Sequence, residues 1–179
     1  MKKVLVLLFI LSSLLNAGCF SQPKTYKDTR FSMDTTISIE ATGQNSEQVK
    51  TAVDNSFRVF QEIANETDRY KDGSPKGLYQ LNAHAGQGPF TVGSHLLLLA
   101  DMAHKQNFSE FDITLAPLID VWQKHSTAKT VPDNLEIAAS LALTGKDKFS
   151  VAPEKQTITL APGAALDLGA IAKGYAVDV

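Results

Sequence analysis

The chain has 179 residues, 44% of them hydrophobic, 20% charged and 8% aromatic, with 11 Gly and 7 Pro dispersed along it. That balance excludes a disordered, fibrous or multispan membrane chain and suits one globular domain with a little to spare. The charges nearly cancel, at −2, with no basic stripe for nucleic acid, and one cysteine excludes both an intrachain disulfide and a cysteine zinc site.

The first eighteen residues differ in kind from the rest. Lys2-Lys3 precede Val4 to Leu15, in which only Ser12 and Ser13 are not apolar, and Ala17-Gly18 follow. This is the charged, apolar and small-residue succession of an export signal, and the apolar run is too short to span a bilayer. Leu14-Leu15-Asn16-Ala17-Gly18-Cys19 resembles a bacterial lipobox, with Asn16 where Leu is usual. The reading is a signal peptide over 1–18, a lipidated Cys19, and a tether over 19–27 that holds the folded body to a membrane outside the cytoplasm. Plain secretion and a buried N-terminal strand are the alternatives.

The folded body is expected from residue 28. Phe31 to Ala41 alternates β-branched and polar residues, which predicts a half-buried strand with Thr35, Ile37 and Ile39 on one face. Asn45 with Gln48 three residues on forms a helix start. Val49, Ala52, Val53, Phe57, Phe60, Ile63 and Ala64 then recur at helical spacing. Asp68 to Pro89 reads as a long turn-rich segment, of the kind that often carries function. A second helix is predicted from Ser94 to near Asn107, and a third from the Pro132-Asp133 and Glu136 capping signal to Gly145. Lys148 to Val151 and Thr157 to Leu160 read as a hairpin. The order of elements favours an α+β fold, a mixed or antiparallel sheet packed with helices.

Two segments stand out chemically. In Phe111-Asp112-Ile113-Thr114-Leu115-Ala116-Pro117-Leu118, an Asp and a Thr sit in an apolar stretch leading to the only tryptophan, Trp122. Such a carboxylate must be hydrogen-bonded or hold a ligand; the plainer reading is an N-cap on a helix starting at Ile113. In Leu166-Asp167-Leu168-Gly169-Ala170-Ile171-Ala172-Lys173, Asp167 reads as the end of a buried strand. A helix start after Gly169 and Lys173 in its first turn would suit phosphate. The four histidines, His84, His95, His104 and His125, read as solvated, Leu96 to Leu99 as a buried helix face, and Asp68, Arg69, Lys71 and Asp72 as a solvated loop.

Together these segments resemble the ApbE-type flavin transferases. FSMDTTISI is similar to that family's Met-Gly-Thr strand, with Asp34 where glycine is usual, and Leu81-Asn82 is similar to its Leu-Asn pair. FDITLAPLIDVW resembles its Phe-Asp-x-Thr-x-x-Pro-Leu-x-x-x-Trp block, and LDLGAIAKGYAVD matches almost residue for residue. The resemblance implies an ApbE-like domain over 28–179 and an exported enzyme that moves FMN from FAD to a threonine hydroxyl of an acceptor protein with Mg²⁺, releasing AMP.

Position by position, it implies FAD contacts from Met33, Tyr70, Glu110, Phe111, Asp112, Asp167 and Lys173, and a Mg²⁺ ligand in the backbone carbonyl of Ala170. The implied acceptors are subunits of membrane redox complexes, of the Na⁺-translocating NADH:quinone reductase or Rnf type. Family members continue beyond these blocks, so the domain is expected to be incomplete at its C-terminus, with catalytic residues downstream of Val179. The alternative is an FAD-binding module, or an inactive truncated product without transferase activity.

Overall fold

The computed structural model describes residues 22–106 and 110–179; Cys19 and the signal peptide expected over 1–18 lie outside them. The chain forms two compact units, one of residues up to Thr29 with Ser38–Asn55, the other of Arg30–Ile37 with Ser56–Val179.

The first unit holds the open end of a β-hairpin, β1 (Lys24–Ser32) with β2 (Thr35–Gly43), and the opening turns of α1 (Ser46–Thr67). Residues 24 to 27, expected as tether, are strand here, because Thr25, Lys27 and Thr29 find partners across the ladder in Thr42, Glu40 and Ser38. Asn45 Oδ1 accepts the backbone N–H groups of Glu47 and Gln48 at 3.0 and 3.2 Å, satisfying two donors that the helix start leaves open.

The second unit contains α2 (Leu78–Ala83), β3 (Pro89–Thr91), α3 (Ser94–Lys105), α4 (Ala116–Ala128), α5 (Asn134–Leu141), β4 (Phe149–Ala152), β5 (Thr157–Leu160) and α6 (Ala172–Asp178). Its sheet has the order β3-β5-β4, antiparallel throughout, with Phe90 opposite Ile158 and Phe149 opposite Leu160. Thr-Ile-Thr-Leu in β5 alternates as a strand with one buried face should, and Ile158 and Leu160 point into the core. On that core pack Leu78 and Leu81 of α2, Leu96, Leu99 and Ala103 of α3, and Leu166 and Leu168 of the segment before α6. Burying each such leucine contributes roughly 1.5–3 kcal/mol. The fold is α+β with antiparallel sheets, as the order of elements implied.

Several boundaries differ from the sequence reading, each for a local reason. The single strand over Phe31–Ala41 is two strands, because Met33 and Asp34 both take positive φ (52° and 55°) and reverse the chain between them. Two consecutive left-handed residues form the turn whose twist matches a hairpin, a geometry in which Asn-Gly is usual and Met is strained. The segment from Asp68 to Pro89 contains α2, started by the buried leucines. On α3 the buried positions are Leu96 and Leu99 while Leu98 is half exposed, since four consecutive leucines cannot share one helix face. The segment ending in Asp167 has no strand pairing. The α5 start is as read: Asp133 accepts from the Leu135 and Glu136 N–H groups, and Glu136 completes a capping box.

The histidines are engaged rather than solvated. His95 Nδ1 pairs with Tyr175 Oη at 2.8 Å, His125 with Glu136 and Thr130, and His104 lies edge-on to Phe149.

Candidate functional site

The side chain that organises the second unit's polar face is Arg69. Asp68 Oδ1 accepts the N–H groups of Tyr70 (2.7 Å) and Lys71 (3.2 Å), which turns the chain tightly after α1. Within that turn the Arg69 side chain is 7% exposed. Its Nε donates to Asp167 Oδ2 at 2.6 Å, its Nη1 to Asp120 Oδ1 at 2.8 Å and its Nη2 to Tyr70 Oη at 2.6 Å. The guanidinium carbon lies 4.2 Å from the centre of the Tyr70 ring, a cation–π contact. Burial alone would pull its pKa down; the hydrogen bond and charge of Asp120, with the charges of Tyr70 and Asp167, outweigh burial and hold it above its ordinary value. Sequence reasoning placed Arg69 in a solvated loop and passed over Asp120. An arginine inside a run of alternating charges carries no local sign of the carboxylate that buries it from far along the chain.

Asp167 is fixed from several directions. The Asn82 side chain bonds both the N–H and the C=O of Leu166, each at 2.9 Å, acting as a one-residue strand partner. The Asp167 N–H donates to the Ile113 carbonyl oxygen at 2.7 Å, and Asp167 Oδ1 accepts the Gly169 N–H at 2.7 Å. These ties give Leu81-Asn82 and the FDIT block a shared purpose: Leu81 is buried in the core, and both segments aim the Asp167 backbone.

A cavity of about 450 Å³ opens beside this network. Its walls are the hairpin tip from Phe31 to Asp34, Gln61 and Asn65 of α1, the loop from Asp68 to Gly73, and Asp167, Gly169 and Lys173. Met33, Tyr70, Asp167 and Lys173 therefore share one site, although they were assigned from separate segments. Lys173 Nζ donates to the Gly169 carbonyl oxygen at 3.2 Å and is otherwise exposed. With Arg69 committed to its two carboxylates, Lys173 and Lys71 are the lining cations that remain open to an anion.

Glu110, Phe111, Asp112 and Ala170 do not line this cavity. Phe111 packs on the core and Glu110 is exposed. Asp112 Oδ1 accepts from both the N–H and the hydroxyl of Thr114, and Thr114 Oγ1, fully buried, accepts the Gly145 N–H at 2.7 Å. The expected N-cap at Asp112 is thus a cap on a turn, and the helix starts later, at Ala116, with Pro117 in its first turn. Ala170 is exposed between Gly169 and α6.

A second tie holds α6, and with it Lys173. Glu66 Oε2 accepts the N–H groups of His95 (2.9 Å) and Leu96 (3.2 Å) at the start of α3, and His95 in turn holds Tyr175. Burial first, and then the Glu66 charge, raise the Tyr175 pKa. A Cβ at Gly93 would sit 2.2 Å from the Glu66 carboxyl carbon, so only glycine lets that carboxylate reach the helix start.

The ApbE family profile matches residues 33–179. The chain belongs to the ApbE family. The match runs from Met33 of the hairpin turn through the last residue, so it takes in the Leu-Asn pair, the FDIT block and the LDLG block. An FAD:protein FMN transferase of Vibrio cholerae is 29% identical over 97% of this chain and 53% of its own length. One from Klebsiella pneumoniae is 35% identical over 68% of this chain and 40% of its own. The solved structure of the flavin transferase ApbE from Vibrio cholerae superposes with a TM-score of 0.73 at 26% identity, over 87% of this chain and 52% of that one. The chain thus spans about half the length of the ApbE proteins it matches.

Proposed function

We propose that this chain supplies the flavin-donor site of an FAD:protein FMN transferase. The observation that carries the reading is the convergence of Met33, Tyr70, Asp167 and Lys173 on one cavity. In the reaction, a threonine Oγ of the acceptor protein attacks the FMN-side phosphorus of FAD. A new P–O bond forms, the diphosphate P–O–P bond breaks, AMP leaves with the bridging oxygen, and the hydroxyl proton passes to solvent or a base. Such transfer is governed by positioning and by neutralising developing charge. In this chain Tyr70, half exposed, offers a ring surface for a flat heterocycle, Asp167 offers a fixed carboxylate acceptor, and Lys173 offers positive charge at the cavity edge.

Magnesium, when bound, would neutralise phosphate charge, with the Ala170 carbonyl as a ligand. Among the described residues no group of three or more His, Cys, Asp or Glu side chains is arranged to hold a metal. The carboxylate, thiol and imidazole side chains of the described residues therefore do not build a magnesium site by themselves.

Export and lipid anchoring at Cys19 complete the proposal, with membrane redox subunits as acceptors; they rest on the signal-like N-terminus and the lipobox resemblance. No helix among the described residues is long and apolar enough to cross a membrane.

The test is to join the chain to the remaining half of a full-length ApbE relative and incubate it with FAD, Mg²⁺ and a threonine-bearing acceptor domain. Fluorescent acceptor on a denaturing gel, with one AMP released per label, is the expected result. FAD bound without label or AMP would reduce the chain to a flavin-binding module.

A further inference from the structure

We propose that Arg69 is the positioning residue of this site, and that the site needs the shape of a guanidinium and not merely a positive charge there. The inference rests on the flavin reading for its ligand, but the geometry behind it is independent of any ligand.

Two residues that face the cavity, Tyr70 and Asp167, are both held by this one side chain. Asp167 Oδ2 receives Arg69 Nε at 2.6 Å while Oδ1 receives the Gly169 N–H at 2.7 Å, so the carboxylate plane is pinned at both oxygens. Tyr70 is pinned twice by the same group, through its hydroxyl at 2.6 Å and through the stack on its ring at 4.2 Å. Gln123 Nε2 adds a second donor to the Tyr70 hydroxyl at 2.9 Å. That hydroxyl therefore accepts twice and has its own proton left to donate.

The remaining fork of Arg69 is closed by Asp120, which is 55% exposed and marks the outer rim. A lysine carries three donors on one atom and no plane. It cannot serve three acceptors in divergent directions and cover an aromatic face at the same time. Arg69 thus converts two side chains from distant parts of the sequence into one rigid wall, leaving the ligand less ordering to do when it binds.

The experiment compares the wild-type chain with Arg69→Lys, Arg69→Met and Asp120→Asn in two measurements. Without ligand, amide NMR reads the Gly169 N–H and the Gln123 side-chain amide. Both resonances should move in Arg69→Lys and Arg69→Met, with the core amides of β5 unmoved. With FAD added, quenching of flavin fluorescence should show at least tenfold weaker binding in both Arg69 variants and a smaller loss, under about threefold, in Asp120→Asn, whose pair is solvent-screened.

Lysine restoring wild-type affinity would overturn the proposal by showing that charge suffices. Unmoved Gly169 and Gln123 resonances in a folded Arg69→Met would overturn it outright. Moved resonances in a chain whose wild type does not bind FAD would uphold Arg69 as the organiser and remove the flavin reading instead.

Discussion

Two polar networks in the second unit use nearly the same ingredients and do different work. At the cavity, Arg69, Asp120, Asp167 and Tyr70 join a cation, two carboxylates and a hydroxyl. Across α4 and α5, Lys124, His125, Glu136 and Thr130 join a cation, an imidazole, a carboxylate and a hydroxyl. The first is centred on a side chain 7% exposed; in the second, Lys124 is 70% exposed. Inside, a partner lost is a charge left without solvent, so geometry is enforced; outside, water replaces whatever is removed. The first network can hold a ligand's contacts still, whereas the second clips two helices together.

The comparison predicts a graded series. Asp167→Ala should be the most damaging, costing about 3 kcal/mol in urea unfolding by taking a buried partner from Arg69, together with FAD binding. A variant of wild-type stability would mean that Asp120 alone satisfies the guanidinium. Asn82→Ala comes next, at about 2 kcal/mol, because the N–H and C=O of buried Leu166 both lose their partner. FAD affinity should fall with it, since the same segment carries Asp167, and an unchanged affinity would separate the clamp from the site.

The outer network should yield less. Glu136→Gln should lower the melting temperature slightly and leave FAD binding alone. The hydrogen bond from Lys124 first, and then that from the Asp133 backbone, hold the Glu136 carboxyl below its ordinary value of 4.5. Its stabilisation is therefore complete above that value and disappears as pH falls through the depressed folded value. The gap between wild type and Glu136→Gln should close at the acid end of a pH series; a gap that persists there would show packing rather than charge. The smallest effect belongs to Lys124→Met, below about 0.5 kcal/mol, readable in the same unfolding curves.

Much of this was legible in the sequence where a signal is local. The Asn45 cap, the Asp133 and Glu136 capping box and the Thr157–Leu160 alternation each depend on residues within a few positions of one another, and each formed as read. The hairpin turn at Met33-Asp34 was not legible, because Met is a poor residue for a left-handed turn and the alternation continues on both sides of it. Arg69 was hidden for a different reason. Its character comes from Asp120 and Asp167, which only the folded chain brings near, so a run of alternating charge looked solvated. Of the cavity residues, Met33 and Tyr70 came through the family resemblance alone, whereas Asp167 and Lys173 also stood out in their own segment; Asp112, conspicuous as a carboxylate in an apolar stretch, bonds the Thr114 turn in this structure.

The proposed place for FAD is the cavity beside Arg69. Lys173 tests it most cleanly, since its ammonium makes a single 3.2 Å bond to Gly169 and lies otherwise exposed, so its removal leaves the fold intact. Equilibrium dialysis of FAD against the wild-type chain and Lys173→Met should show binding by the first and at least a tenfold loss in the second, roughly the worth of one charge-assisted contact. Equal affinities in the two would place FAD elsewhere and remove this cavity as its site.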